Sequence, residues 1–75
     1  METTMNIRLK AIDTVKDFVN DLAKFEGEFD LISGRYVIDA KSIMGIFSLD
    51  LSNELKLSIK CDDENCVEVL KKYKA

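Results

Sequence analysis

Asp39-Ala40-Lys41-Ser42-Ile43-Met44-Gly45-Ile46-Phe47-Ser48-Leu49 is short, apolar and carries a serine ahead of its apolar run. A serine in that place is a helix N-cap signal: its hydroxyl can accept from an unpaired N–H of the first turn, worth about 1 kcal/mol. The pattern predicts a short helix from Ser42 to about Leu49. Upstream, Phe29-Asp30-Leu31-Ile32 reads as a strand. Ser33-Gly34-Arg35 then makes a tight turn, and Tyr36-Val37-Ile38 returns as its hairpin partner. Downstream, Asn53-Glu54 turns the chain. Leu55, Leu57, Ile59 and Cys61 then alternate with Lys56, Ser58 and Lys60, the clearest strand pattern in the sequence.

The two ends complete the order. Met5-Asn6-Ile7-Arg8-Leu9-Lys10 alternates apolar and polar residues and predicts a half-buried strand. Asp13 or Thr14 offers an N-cap, with Asp17 in the first turn of the helix that follows. Val15, Phe18, Val19, Leu22 and Ala23 trace one helical face, and Gly27 marks the exit. Asp62, Asp63 and Glu64 open a last helix, Lys71, Lys72 and Lys74 close it, and Cys66, Val67, Leu70 and Tyr73 share its inner side. The order is βαββαβα. It predicts an α+β open-faced β-sandwich, a four-stranded antiparallel sheet with three helices on one face. The first strand–helix–strand unit should cross over right-handedly and leave a gap for the last strand.

With 75 residues, 47% apolar and 33% charged, the chain is expected to form a single domain over residues 1–75. A net charge of −3 argues against a nucleic-acid partner, which normally meets a dense Lys/Arg face. No run approaches the about 20 apolar residues of a membrane span, and the N-terminus has no apolar signal core. The expectation is a cytoplasmic protein that does not act at a membrane. There is no histidine, and only Cys61 and Cys66 are cysteines. Two cysteines without histidine make a poor zinc site, so no metal is expected. They are read as reduced, partly buried thiols rather than as a disulfide; lying across a strand-to-helix turn, they could meet on oxidation, but nothing in the sequence demands it. No Gly-rich phosphate loop or catalytic constellation is present, so no cofactor, small-molecule substrate or enzyme activity is expected.

Lys41-Ser42-Ile43-Met44-Gly45, placed after the hairpin and before the last strand, resembles the regulatory-serine motif of HPr. HPr is the histidine-phosphorylated carrier of the bacterial sugar phosphotransferase system. Length and element order also resemble that family, and Phe18 to Phe25 falls where its first helix lies. The resemblance implies a sheet order of first, fourth, second, third strand. It fails at the carrier loop, which in the family reads roughly Gly-Ile/Leu-His-Ala-Arg-Pro. Here the corresponding residues are Lys10-Ala11-Ile12-Asp13-Thr14. Counting back from Ser42 without gaps puts Ala11 at the histidine position and Asp13 at the arginine position. Imidazole suits a carrier because it is nucleophilic at neutral pH and its phosphoramidate is labile. Alanine has no nucleophile. Asp13 could form an acyl phosphate only without a neighbouring arginine, and is read as a helix cap or solvated charge.

The resemblance makes Ser42 the residue an ATP-dependent HPr kinase would phosphorylate. A phosphate at a helix N-terminus is tolerated by the free N–H groups and the dipole there. Ile43 and Phe47, at i and i+4 with Met44 beside them, are expected to form a docking patch, because so short a helix cannot bury every side. The expected partners are proteins: an HPr kinase, phosphotransferase-system enzymes or a catabolite-control regulator. Arg35 and Lys41 are read as solvated charges, and Tyr36 and Tyr73 as edge packing. The expected function is a non-catalytic, HPr-like regulatory and protein-interaction domain. Its alternatives are a carrier using a non-histidine nucleophile and a plain interaction module without phosphorylation.

Overall fold

The computed structural model describes residues 2–75. Its elements run β1 Glu2–Ile7, α1 Ile12–Leu22, β2 Glu28–Ser33, β3 Tyr36–Asp39, α2 Ile43–Phe47, β4 Leu55–Lys60 and α3 Asn65–Leu70, with a 3-10 turn at Lys71–Tyr73. The sheet order is β1-β4-β2-β3, with every pair antiparallel. This is the expected α+β architecture and strand order. β4 is the inner strand between β1 and β2. Its alternate residues Leu55, Leu57 and Ile59 are buried and meet Phe29 and Leu31 of β2, with Val15, Phe18 and Leu22 of α1 in the same core.

β1 begins and ends three residues earlier than its alternation predicts. The pattern reports burial, and burial outlasts the ladder. Met5 is half-buried, Ile7 and Leu9 are fully buried, yet pairing with β4 stops at Ile7↔Leu55. Beyond it the chain pairs with its own C-terminus. Arg8 N–H donates to the Tyr73 carbonyl (3.0 Å), Ala75 N–H donates to Asn6 (3.0 Å), and Ile7 bridges Lys74.

α1 starts at Ile12, ahead of both expected caps, Asp13 and Thr14. Ala11 is the extended N-cap residue, and no side chain caps the helix. Asp13 therefore lies in the first turn, and Asp17 lies beyond it. Gly27 also has a different job from the one expected. The helix closes at Ala23, and Gly27 (φ 145°) follows a further turn at the entrance to β2. A Cβ there would come within 2.4 Å of the Lys60 carbonyl oxygen, so the end of β4 requires a glycine. At the hairpin, Gly34 (φ 57°) takes the first central position of a two-residue turn closed by Ser33↔Tyr36. Positive φ at that position suits the right-handed twist of the flanking strands.

The C-terminus is fastened to α1. Tyr73 packs edge-on against Phe18, with ring centroids 5.2 Å apart at 84°. Its hydroxyl donates to Asp21 Oδ2 at 2.5 Å, and Lys72 Nζ reaches the same oxygen at 2.8 Å. Tyr73 is thus a buried anchor. Burial, then its bond to Asp21, pushes its hydroxyl well above the usual phenol range. Burial acts to raise the Asp21 carboxyl, but hydrogen bonds from Lys72 and Tyr73, with the charges of Lys72 and Lys24, outweigh it and hold the group below its ordinary value.

Candidate functional site

The α2 corner is built by short-range hydrogen bonds. Asp39 Oδ1 accepts from Lys41 N–H (2.9 Å), turning the chain out of β3. Ser42 is extended (φ −94°, ψ 106°), and its Oγ accepts from Gly45 N–H at 3.2 Å. Its carbonyl accepts the first helical bond, from Ile46 N–H, at 3.1 Å. Ser42 therefore caps α2 as expected, and its side chain is exposed. Ser48 Oγ donates to the Gly45 carbonyl (2.6 Å) at the other end.

Ile46 is the fully buried anchor of this helix, with Ile43 and Leu49 half-buried against the core. The inward face thus runs through Ile43 and Ile46. Met44 (75% exposed) and Phe47 (40% exposed), three residues apart, share the outer side. Of the expected patch, Met44 and Phe47 offer most of the surface, and Ile43 supports them from beneath.

Lys41 departs from its reading as a solvated charge. It is half-buried: Nζ donates to the Phe25 carbonyl at 2.8 Å and sits 5.3 Å from the centre of the Phe29 ring. It joins the α1–β2 connection to the corner beside Ser42 and has its donor capacity engaged there.

The other region is the loop Arg8–Ala11, between β1 and α1. Leu9 is buried and fixes it, while Arg8, Lys10 and Ala11 face solvent. Ala11 (φ −125°, ψ 156°) gives its carbonyl to Val15 N–H at 3.1 Å. Beside this loop lies an open depression of about 370 Å³ lined by Arg8, Lys10, Thr14, Lys72, Tyr73 and Lys74. Its charges are partly matched already, by Arg8–Glu54 (3.8 Å) and Lys72–Asp21. None of these groups is a nucleophile suited to carrying phosphate. Thr14 is an ordinary alcohol, and the Tyr73 hydroxyl is buried, donated to Asp21 and harder to ionise than usual. Among the described residues no cluster of three or more His, Cys, Asp or Glu could hold a metal ion.

The family model described as the PTS HPr component phosphorylation site matches residues 12–75. The chain belongs to the HPr family. Among solved structures, HPr-C-His from Thermoanaerobacter tengcongensis is 33% identical, with a TM-score of 0.77, covering 96% of this chain and 88% of that one. A phosphocarrier protein HPr from Bacillus anthracis str. Ames matches in fold, with a TM-score of 0.74 at 20% identity, over 99% of this chain and 98% of that one. A search of curated proteins found no match. HPr proteins are phosphocarriers rather than enzymes and interact with other proteins of the phosphotransferase system, in keeping with a chain that is not an enzyme. No helix among the described residues is long and apolar enough to cross a membrane.

Two features of this HPr-family chain escaped the sequence. Ile12, 63% exposed, opens the helix that packs against α2. It was legible only as a residue before the expected helix start. The cationic rim of Arg8, Lys10, Lys72 and Lys74 forms because the C-terminus returns beside β1, and no local pattern announces that pairing.

Proposed function

We propose that this HPr-family chain is a non-catalytic regulatory and protein-interaction member, working as a single domain over residues 1–75 in the bacterial cytoplasm. The observation that carries the reading is Ala11 at the N-cap of α1 in a chain with no histidine. The loop is entered through an extended residue and has cationic surroundings, and it lacks a group that could accept and release phosphate at neutral pH.

The regulatory half rests on Ser42. Its resemblance to the family's regulatory serine is supported by exposure and by its place at the α2 N-cap. An HPr kinase would transfer the γ-phosphoryl group of ATP to Oγ, adding about −1.5 to −2 charge beside Met44 and Phe47. That change would alter which partner docks on the α2 surface, whether a phosphotransferase-system enzyme or a catabolite-control regulator. The role is then carbon-source regulation.

The test is incubation with ATP and HPr kinase, followed by intact mass of wild type and Ser42→Ala. Wild type gains one phosphoryl group and the variant gains none. If neither gains mass, the domain is an interaction module without this switch. A phosphoryl group on both proteins would place the acceptor elsewhere.

A further inference from the structure

The turn from β4 into α3 carries chemistry that phosphate transfer does not use. Cys61 follows the last residue of β4, and Cys66 lies in the first turn of α3. Both are free thiols. They flank one short turn near enough to perturb each other, both pack with the core, and their exposures differ: Cys66 is fully buried, Cys61 half-buried. Cys61 borders two surface depressions. One, of about 480 Å³, is lined by Lys24, Gly27 and Lys60 among others. The second, of about 390 Å³, includes Thr3, Asp63 and Val67. Cys66 lines neither. Two thiols at either end of one short turn, one reachable from two sides and one buried, form a directional arrangement.

We infer that Cys61 and Cys66 form a reversible thiol–disulfide site, with Cys61 meeting an organic disulfide at the surface and Cys66 closing the bond from within. In the first step the Cys61 thiolate attacks one sulfur of a low-molecular-weight disulfide. The S–S bond of the reagent breaks, one thiol leaves with the proton Cys61 has lost, and Cys61 holds a mixed disulfide. In the second step Cys66 gives up its proton and attacks Sγ of Cys61. The mixed disulfide breaks and a second thiol leaves. The two protein thiols lose two electrons and two protons, and one reagent disulfide becomes two thiols.

The division of labour follows from the surroundings. Burial, the hydrogen bond with Cys61 and the nearby charges of Cys61 and Asp63 push the Cys66 thiol up to about 12, so it does not begin the exchange at neutral pH. Once Cys61 is in a mixed disulfide it can no longer become an anion, and its share of that repulsion disappears. Closure is also intramolecular, which favours it over attack by a second reagent molecule. The product ties the end of β4 to the start of α3. A disulfide that forms and reopens in a reducing compartment is of the redox-responsive kind.

The test uses the whole chain, titrated with oxidised glutathione and read by intact mass and by alkylation of remaining thiols. Wild type should lose two hydrogens and both alkylatable thiols, and dithiothreitol should restore them. Cys66→Ser, or Cys66→Ala if the serine variant does not fold, should stop at one glutathione adduct on Cys61. Cys61→Ser should take no adduct while folded. Retention of both wild-type thiols, a wild-type adduct that never closes, or disulfide-linked dimers in place of the internal bond would each overturn the inference. The wild-type measurement decides without any variant.

Discussion

Helices α1 and α2 begin in the same way and end up with opposite chemistry. Each is entered from an extended residue, Ala11 or Ser42, whose carbonyl accepts the first helical bond at 3.1 Å. At Ser42 the side chain adds an oxygen that caps the helix and stands in solvent, where a kinase could reach it. At Ala11 the side chain ends at a methyl group. The backbone of the loop Arg8–Ala11 is set by Leu9 in the core, by the C-terminal pairing with β1 and by the Tyr73–Asp21 bond. None of these contacts uses the side chain at position 11. The shape of this loop and the chemistry of its side chains are thus set by different residues.

The largest test converts one region towards the other. Ala11→His combined with Asp13→Arg should acquire an acid-labile phosphoryl group from phosphoenolpyruvate and the general phosphotransferase enzyme, an all-or-none change visible by mass. Ala11→His alone should acquire it more weakly, since the carboxylate of Asp13 would stand where a cation is needed. Next in size is the α2 surface. Met44→Asp should weaken binding of a docking partner by on the order of tenfold in calorimetry. Its unfolding midpoint should shift by no more than about 0.5 kcal/mol allows, because the side chain is exposed.

Two smaller effects separate structural support from the exposed cap. Asp21→Asn should cost about 1–3 kcal/mol in urea unfolding, because it weakens a buried acceptor shared by Tyr73 and Lys72. The folded carboxyl lies below its unfolded value of about 3.9. Its stabilising share is therefore complete above about pH 4 and is lost as pH falls through the folded value, and the variant should lose less stability on acidification. Ser42→Ala should cost about 1 kcal/mol through the lost cap alone, read in the same unfolding assay.

What the sequence made legible follows the range of the interactions. The alternation of Leu55, Leu57 and Ile59 and the Val15–Phe18–Leu22 stripe expose strand and helix directly, since each is a local report of which side is buried. Ser42 was readable for the same reason: a cap acts over three residues. Errors arose where distant segments intervene. β1 stops at Ile7 because Tyr73 and Lys74 take over its pairing, Gly27 is demanded by Lys60, and Lys41 is drawn to Phe25 and Phe29. The α2 surface was half legible. Amphipathic spacing showed that some residues must face out, but the inward choice of Ile43 and Ile46 depended on where α2 sits over the sheet.

The most direct measurement is incubation of the unaltered protein with phosphoenolpyruvate and the general phosphotransferase enzyme, with intact mass read at neutral pH and after acid treatment. With a methyl group at the position that should bear imidazole, the mass should remain that of the bare chain throughout. An added phosphoryl group that survives neutral pH and disappears in acid would contradict the account, because it would show a carrier at work without histidine.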